Sequence, residues 1–133
     1  MSLPSKPLQG CRVLLVEDEF MLADELRAEL EDAGAVVIGP FGSLAAAIRL
    51  IRTEPRIDGA ILDGNLGGEL VHPAADLLVE RGVPFLFTTG YDPAAIPPRF
   101  STRPQFEKPV SLEAVIHAMI RIIGRGHSDP SDP

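Results

Sequence analysis

Four apolar runs in this chain end on residues that can do chemistry. Val13-Leu14-Leu15-Val16 leads into Glu17-Asp18-Glu19, and Ile61-Leu62 into Asp63. Phe85-Leu86-Phe87 leads into Thr88-Thr89-Gly90, and Phe106-Glu107 into Lys108-Pro109. If Glu17, Asp18 and Asp63 meet, their carboxylates repel unless a proton or a cation joins them. A hard divalent cation meets that need. Mg²⁺ retains several waters and suits one or two carboxylates plus a phosphoryl oxygen, with a backbone carbonyl after Asp63, that of Asn65, completing the shell. Thr89 offers a hydroxyl to a phosphoryl oxygen, and Gly90 leaves room for that group. Lys108 carries an ammonium on a flexible stem. A cation, a carboxylate, a hydroxyl and an ammonium together point to phosphoryl transfer onto Asp63. Taken singly, each residue has a blander role: Asp18 as a helix cap, Thr89 as a strand end with Thr88 competing for the same task, Lys108 as a solvated charge.

These residues meet only if the runs lie side by side as parallel strands, because an open α/β sheet places the carboxyl ends of its strands along one edge. The spacing supports that arrangement. Arg12–Val16 reads as a buried strand. Phe20–Ala33 carries Leu22, Leu26 and Leu30 at helical spacing and stops before Gly34. Ala35–Ile38 is a second strand, and Ser43 can cap a helix bearing Leu44, Ile48 and Ile51, which ends before Pro55. Gly59–Leu62 is a third strand, followed by a glycine-rich loop at Gly64–Gly68. A helix then starts near Pro73 and ends at Gly82. Val83–Phe87 is a fourth strand and Gln105–Glu107 a short fifth. Ser111 caps a last helix with Leu112, Val115, Ile116, Met119, Ile120 and Ile123 on one face. Pro93, Pro97, Pro98 and Pro104 leave room for only a short or irregular fourth helix. Five βα units of this kind predict an α/β, flavodoxin-like, doubly wound fold, with a five-stranded parallel sheet in the order 2-1-3-4-5 and right-handed crossovers.

Composition narrows the function. The chain has 133 residues, enough for one domain with a packed core, and 45% of them are apolar. A net charge of −7, from 12 basic and 19 acidic residues, opposes electrostatic binding to nucleic acid. No apolar run approaches the roughly 18 residues that cross a bilayer, and the N-terminus does not read as a signal peptide. With Cys11 as its single cysteine, the chain reads as a reduced cytoplasmic protein. The expected organisation is a flexible segment over 1–10, a folded domain over 11–124 and a disordered tail over 125–133. His72, His117 and His127 lack metal-ligand spacing and read as structural or surface residues.

The order and placement of these motifs resemble the receiver domain of two-component response regulators. Val-Leu-Leu-Val-Glu-Asp-Glu at 13–19 matches the receiver's first strand and acidic pair, and Ile-Leu-Asp-Gly-Asn-Leu at 61–66 its phosphoacceptor strand. Thr89-Gly90 and Lys108-Pro109 match the last two signatures. The likeness runs from Arg12 to Gly124. It implies that Asp63 takes phosphate from a kinase phosphohistidine and that the domain also catalyses the slow hydrolysis. It further implies that Asp18, Asp63 and the Asn65 carbonyl bind Mg²⁺ directly while Glu17 acts through water, and that Thr89 and Lys108 hold the phosphoryl oxygens. Asn65–Glu69 and Pro84–Tyr91 are similar to the FAT GUY subgroup, with Thr88 where that subgroup has Ala. That similarity implies a sensor histidine kinase of the HWE or HisKA2 type as donor.

Two departures bear on signalling. Many receivers carry an aromatic switch residue three places before the lysine, and here Gln105 stands there, with Phe106 facing the other way. The proline-rich 91–104 segment, with Tyr91 as a participant, is then the candidate switch. The expected role is a stand-alone phosphoacceptor in a phosphorelay rather than a turnover enzyme. Its partners would be a downstream effector or phosphotransfer protein, and its state a monomer or weak dimer through the last strand and helix, where Leu112 and Ile122 could be exposed. The competing readings are a phosphorylation-independent interaction module, against which the retention of Glu17, Asp18, Asp63, Thr89 and Lys108 argues, and an aspartyl-phosphate hydrolase. A hydrolase needs a second acid/base carboxylate, and Asn65 occupies the position where it would stand.

Overall fold

The computed structural model describes residues 6–90 and 96–126, with side chains to 124. Strands β1 (Arg12–Val16), β2 (Val36–Phe41), β3 (Gly59–Asp63), β4 (Phe85–Thr89) and β5 (Gln105–Glu107) form one parallel sheet in the order β2-β1-β3-β4-β5. Helices α1 (Phe20–Asp32), α2 (Leu44–Thr53), α3 (His72–Glu80) and α4 (Leu112–Gly126) cover it. This is the doubly wound α/β fold expected from the alternation of strand and helix patterns.

The central strands are apolar up to their carboxyl ends because both faces are covered. Successive side chains alternate between the faces, which divides the core in two. Leu14, Val16, Ala60, Leu62, Phe85 and Phe87 pack with Ala47 and Ile51 of α2 and with Ala74, Ala75 and Leu78 of α3. Val13, Leu15, Ile61 and Leu86 pack on the other side with Leu26 and Leu30 of α1 and with Val115, Met119 and Ile123 of α4. Leu112 and Ile122 are half-buried against this second cluster rather than exposed. Ser43 and Ser111 cap their helices as expected, each hydroxyl accepting a backbone N–H at 3.2 Å.

Local departures have local causes. Lys6–Gly10, expected within the flexible lead-in, folds back on the domain. Leu8 is 1% exposed in the second cluster, and its N–H donates to Ala33 at 2.8 Å. At the other end, α4 continues to Gly126, into the stretch expected to be tail. His127, Tyr91 and the rest of 91–95 and 127–133 lie outside the described residues.

Strand β2 runs to Phe41, beyond Ile38, where a strand was expected to stop. Leu14 pairs with Ile38 and Val16 with Phe41, so β2 carries one extra residue. Gly39 absorbs it at φ +110°, where a Cβ would sit 2.7 Å from the Leu15 carbonyl. Pro40 is tolerated because β2 is an edge strand. Gly39–Pro40 and Lys108–Pro109 are cis.

After β3, the expected loop is a small hairpin. Asn65–Leu66 pairs antiparallel with Glu69–Leu70 around Gly67 and Gly68, both at positive φ.

In place of a fourth helix, the described residues hold a 3₁₀ turn, Pro98–Phe100. Phe100 is 1% exposed and stacks against Phe85 and Phe87 at centroid distances of 5.9 and 5.7 Å. Arg99 forks onto Asp76 of α3 at 2.9 and 3.0 Å. Among the described residues of this segment, Phe100 plugs this side of the sheet and the Arg99–Asp76 pair ties the turn to α3.

Candidate acidic phosphoryl and cation site

The sheet order reverses between β1 and β3, and a crevice opens beyond the strand ends at such a point. Glu17 and Asp18 follow β1 directly, and Asp63 closes β3. One carboxylate oxygen from each lies within 4.8 Å of the others, so the three carboxylates that the strand pattern predicted do converge. Glu17 and Asp63 are 2% and 3% exposed, while Asp18 is open to solvent. Helix capping does not explain Asp18, because Glu19 holds the N-cap position of α1 and makes no capping bond.

Lys108 supplies the counter-charge. Its ammonium donates to Asp63 Oδ2 at 3.0 Å, Glu17 Oε2 at 3.1 Å and Glu19 Oε2 at 2.5 Å. The Lys108 N–H also donates to the Thr89 carbonyl at 2.7 Å, which fixes the lysine beside β4. Glu17 Oε2 accepts the Glu19 N–H at 3.1 Å, and Asp63 Oδ1 accepts the Asn65 N–H at 3.1 Å. A cleft of about 440 Å³ opens over the group, lined by Glu19, Asp63, Asn65, Gly90, Lys108 and Pro109.

The electrostatics follow from crowding. Burial, then the close approach of the Asp63 carboxyl, pushes Glu17 up to about 7; Lys108 and the Glu19 N–H work in the opposite direction. Asp18, though exposed, is also raised, by partial desolvation of its carboxylate and by the charge of Asp63. Partial burial works against the Lys108 ammonium, but its bonds to Glu19 and Asp63 outweigh that and hold it above the usual lysine range. One ammonium among four carboxylates leaves a net anionic hole lined by hard oxygens. That donor chemistry fits Mg²⁺: Glu17, Asp18 and Asp63 are close enough to share one ion, and Asn65 stands at the rim of the cleft.

Two residues of the strand-end runs, Thr88 (the competitor of Thr89) and Glu19, take part in ways the pattern did not assign. Thr88 Oγ1 faces Glu17 Oε1 at 3.4 Å and is fully buried, because Thr88 is the register partner of Asp63 across the β3–β4 ladder. Thr89 sits one residue further on, pointing to the opposite face as alternation requires; its methyl would meet a Cβ placed on Gly64. The bonds that knit the cluster therefore pass through Thr88. Glu19 is the second. It follows Glu17 by two residues on extended backbone (φ −79°, ψ 110°), so the period of the strand carries it back to the same side. Continuing that count one step past the strand would have found it. Gln105 is exposed, and Phe106 packs into the α1/α4 cluster, as their alternation predicted.

A five-stranded parallel sheet with paired acids after its first strand, a carboxylate ending its third and a lysine after its last defines the class of signal-receiver domains. The chain belongs to the response-regulator receiver family. It is similar over 90% of its length to a response regulator receiver protein from Sinorhizobium medicae WSM419, at 22% identity, 99% coverage of that chain and a TM-score of 0.78. SdrG from Sphingomonas melonis Fr1 shares 34% identity over 84% of this chain and 97% of its own, TM-score 0.72. A structure of the BeF3-activated conformation of SdrG, from Pseudomonas melonis Fr1, aligns at 31% identity over 91% and 99%, TM-score 0.69. The signal receiver domain of a modulated diguanylate cyclase from Desulfovibrio desulfuricans G20 aligns at 27% identity over 89% and 97%, TM-score 0.75. No protein-family model matches the chain, and no curated protein matches it in sequence. Among the described residues, no helix is long and apolar enough to cross a membrane.

Proposed function

We propose that Asp63 accepts a phosphoryl group from a phosphohistidine of a sensor histidine kinase, and that the modified receiver changes its protein contacts. The observation that carries this reading is the nearly buried Asp63 carboxylate, held at 3.0 Å from Lys108 and within reach of Glu17 and Asp18. In the transfer, an Asp63 oxygen bonds to phosphorus as the phosphorus–nitrogen bond breaks, and the departing imidazole takes up a proton. Lys108 is placed to meet the charge that spreads over the transferring oxygens, and Thr89, beside Gly90, is assigned to another of those oxygens. Mg²⁺, when bound by Asp18, Asp63 and the Asn65 carbonyl with Glu17 acting through water, would supply further charge neutralisation. The same groups serve the slow hydrolysis that resets the domain. A BeF3-activated structure of SdrG supports the reading, since BeF3 imitates a phosphoryl group on a carboxylate.

The finer assignments rest on motif likeness. The FAT GUY-like stretch at 84–91 favours a kinase of the HWE or HisKA2 type as donor, and the receiver itself is assigned to the cytoplasm as part of a phosphorelay. The output is contact with an effector or phosphotransfer protein, with self-association limited to a weak dimer through β5 and α4. The test is incubation with acetyl phosphate and Mg²⁺ followed by intact mass measurement. Wild type should gain one phosphoryl group and Asp63→Ala none. An unmodified wild type, or an equal adduct on the variant, would return the domain to a phosphorylation-independent interaction module.

A further inference from the structure

We infer that Glu19 is a positioning residue that competes with the incoming phosphoryl group for Lys108, and so sets how readily Asp63 is charged; this rests on the phosphoacceptor reading of Asp63. Lys108 has three carboxylate partners, and they are not equivalent. Glu17 and Asp63 are buried walls of the site, with side chains 0% and 4% exposed. Glu19 is 59% exposed, yet it makes the shortest of the three contacts, at 2.5 Å. It lines the mouth of the cleft together with Gly90 and Pro109, on the path by which a phosphodonor must arrive. A phosphoryl group on Asp63 brings new anionic oxygens to the same ammonium. Lys108 can turn to them only by giving up a partner, and Glu19 is the one that water can solvate in its place. The carboxylate also presents negative charge to an anionic donor at the entrance. Both effects act in one direction: Glu19 holds the lysine in reserve and slows charging by weakly bound donors.

The experiment follows acetyl phosphate-driven phosphorylation of the full chain by intact mass, over a range of donor concentrations with Mg²⁺. Glu19→Gln should lower the half-saturating donor concentration about two- to fivefold, the range expected for one exposed ion pair, with the limiting rate unchanged. Glu19→Asp should move back toward wild type. Glu107→Gln serves as a charge control. It removes the same charge beside Lys108 in sequence but on the opposite face of β5, and should leave the donor dependence unaltered. A second readout is independent of turnover. Lys6 and Lys108 are the two lysines of the chain, so the Lys108 ammonium nitrogen resonance can be assigned in unphosphorylated protein, and it should shift in Glu19→Gln but not in Glu107→Gln. A wild type that takes no phosphate overturns the phosphoacceptor reading and this inference with it. A wild type that does take phosphate, with Glu19→Gln matching either wild type or Glu107→Gln in donor dependence or in the lysine resonance, overturns this inference alone.

Discussion

Glu17 and Lys108 stand 91 residues apart in the chain and 3.1 Å apart in the fold, joined across the carboxyl edge of the sheet. The pair draws together the ends of β1 and β5, which share no ladder. It also gives the most buried carboxylate of the site its one cationic partner among the described residues. Removing the lysine should therefore destabilise the domain as well as impair phosphorylation. Lys108→Met is expected to cost about 1–3 kcal/mol at pH 8, because a buried acceptor loses its charged donor. Urea unfolding of the two proteins measures this, and the loss should shrink near pH 5, where Glu17 carries its own proton.

Glu17 also makes stability depend on pH in an uncommon direction for a carboxylate. Its folded value, about 7, lies above the ordinary 4.5. The folded state therefore binds the proton more tightly, and folding takes up protons between those values. The associated stability is fully present below about 4.5 and is lost as pH rises through about 7. Glu17→Gln should flatten the decline of the metal-free urea midpoint between pH 5 and pH 7.5. An unchanged slope would assign the decline to other groups.

Mg²⁺ should reverse that penalty. The ion requires deprotonated carboxylates, so its stabilising effect should grow as pH rises through about 7 and disappear when a chelator is added. Asp18→Ala should abolish most of the shift in thermal midpoint while barely altering the metal-free protein, since Asp18 is exposed. Asp63→Asn should raise metal-free stability by relieving repulsion and weaken the response to Mg²⁺.

The 3₁₀ turn offers a prediction away from the chemistry. Phe100 is 1% exposed against Phe85 and Phe87. Phe100→Ala should cost about 3–5 kcal/mol, the range for deleting a buried aromatic. Hydrogen exchange in 96–104 should accelerate far more than in β1 or β3. A uniform acceleration would show that the plug belongs to the global core rather than to its own segment.

The residues that assemble the site were largely legible in the sequence, because buried parallel strands read as short apolar runs and the site lies where such runs stop. Glu17, Asp18, Asp63 and Lys108 all follow from that rule. What a single strand leaves open depends on geometry between strands. Thr88 enters the cluster because β3 and β4 pair in one particular register, which no single strand discloses. The continuation of β2 past Ile38 was hidden because Gly39 and Pro40 ordinarily punctuate a strand; an edge position and one inserted residue accommodate them. Leu8 sits among prolines and glycines that suggest a free lead-in, and only the groove beside Ala33 shows why it is buried.

The division of the core has a consequence for how news of phosphorylation could travel. Leu86 and the site residue Thr88 share one face of β4, while Phe87 and Thr89 share the other, where Phe100 is lodged. A change at Asp63 begins on the α1/α4 side, and the Phe100 plug sits on the α2/α3 side. At the end of β4 the two sides adjoin: Thr88 bonds Glu17 on one, and one residue earlier Phe87 packs on Phe100 on the other.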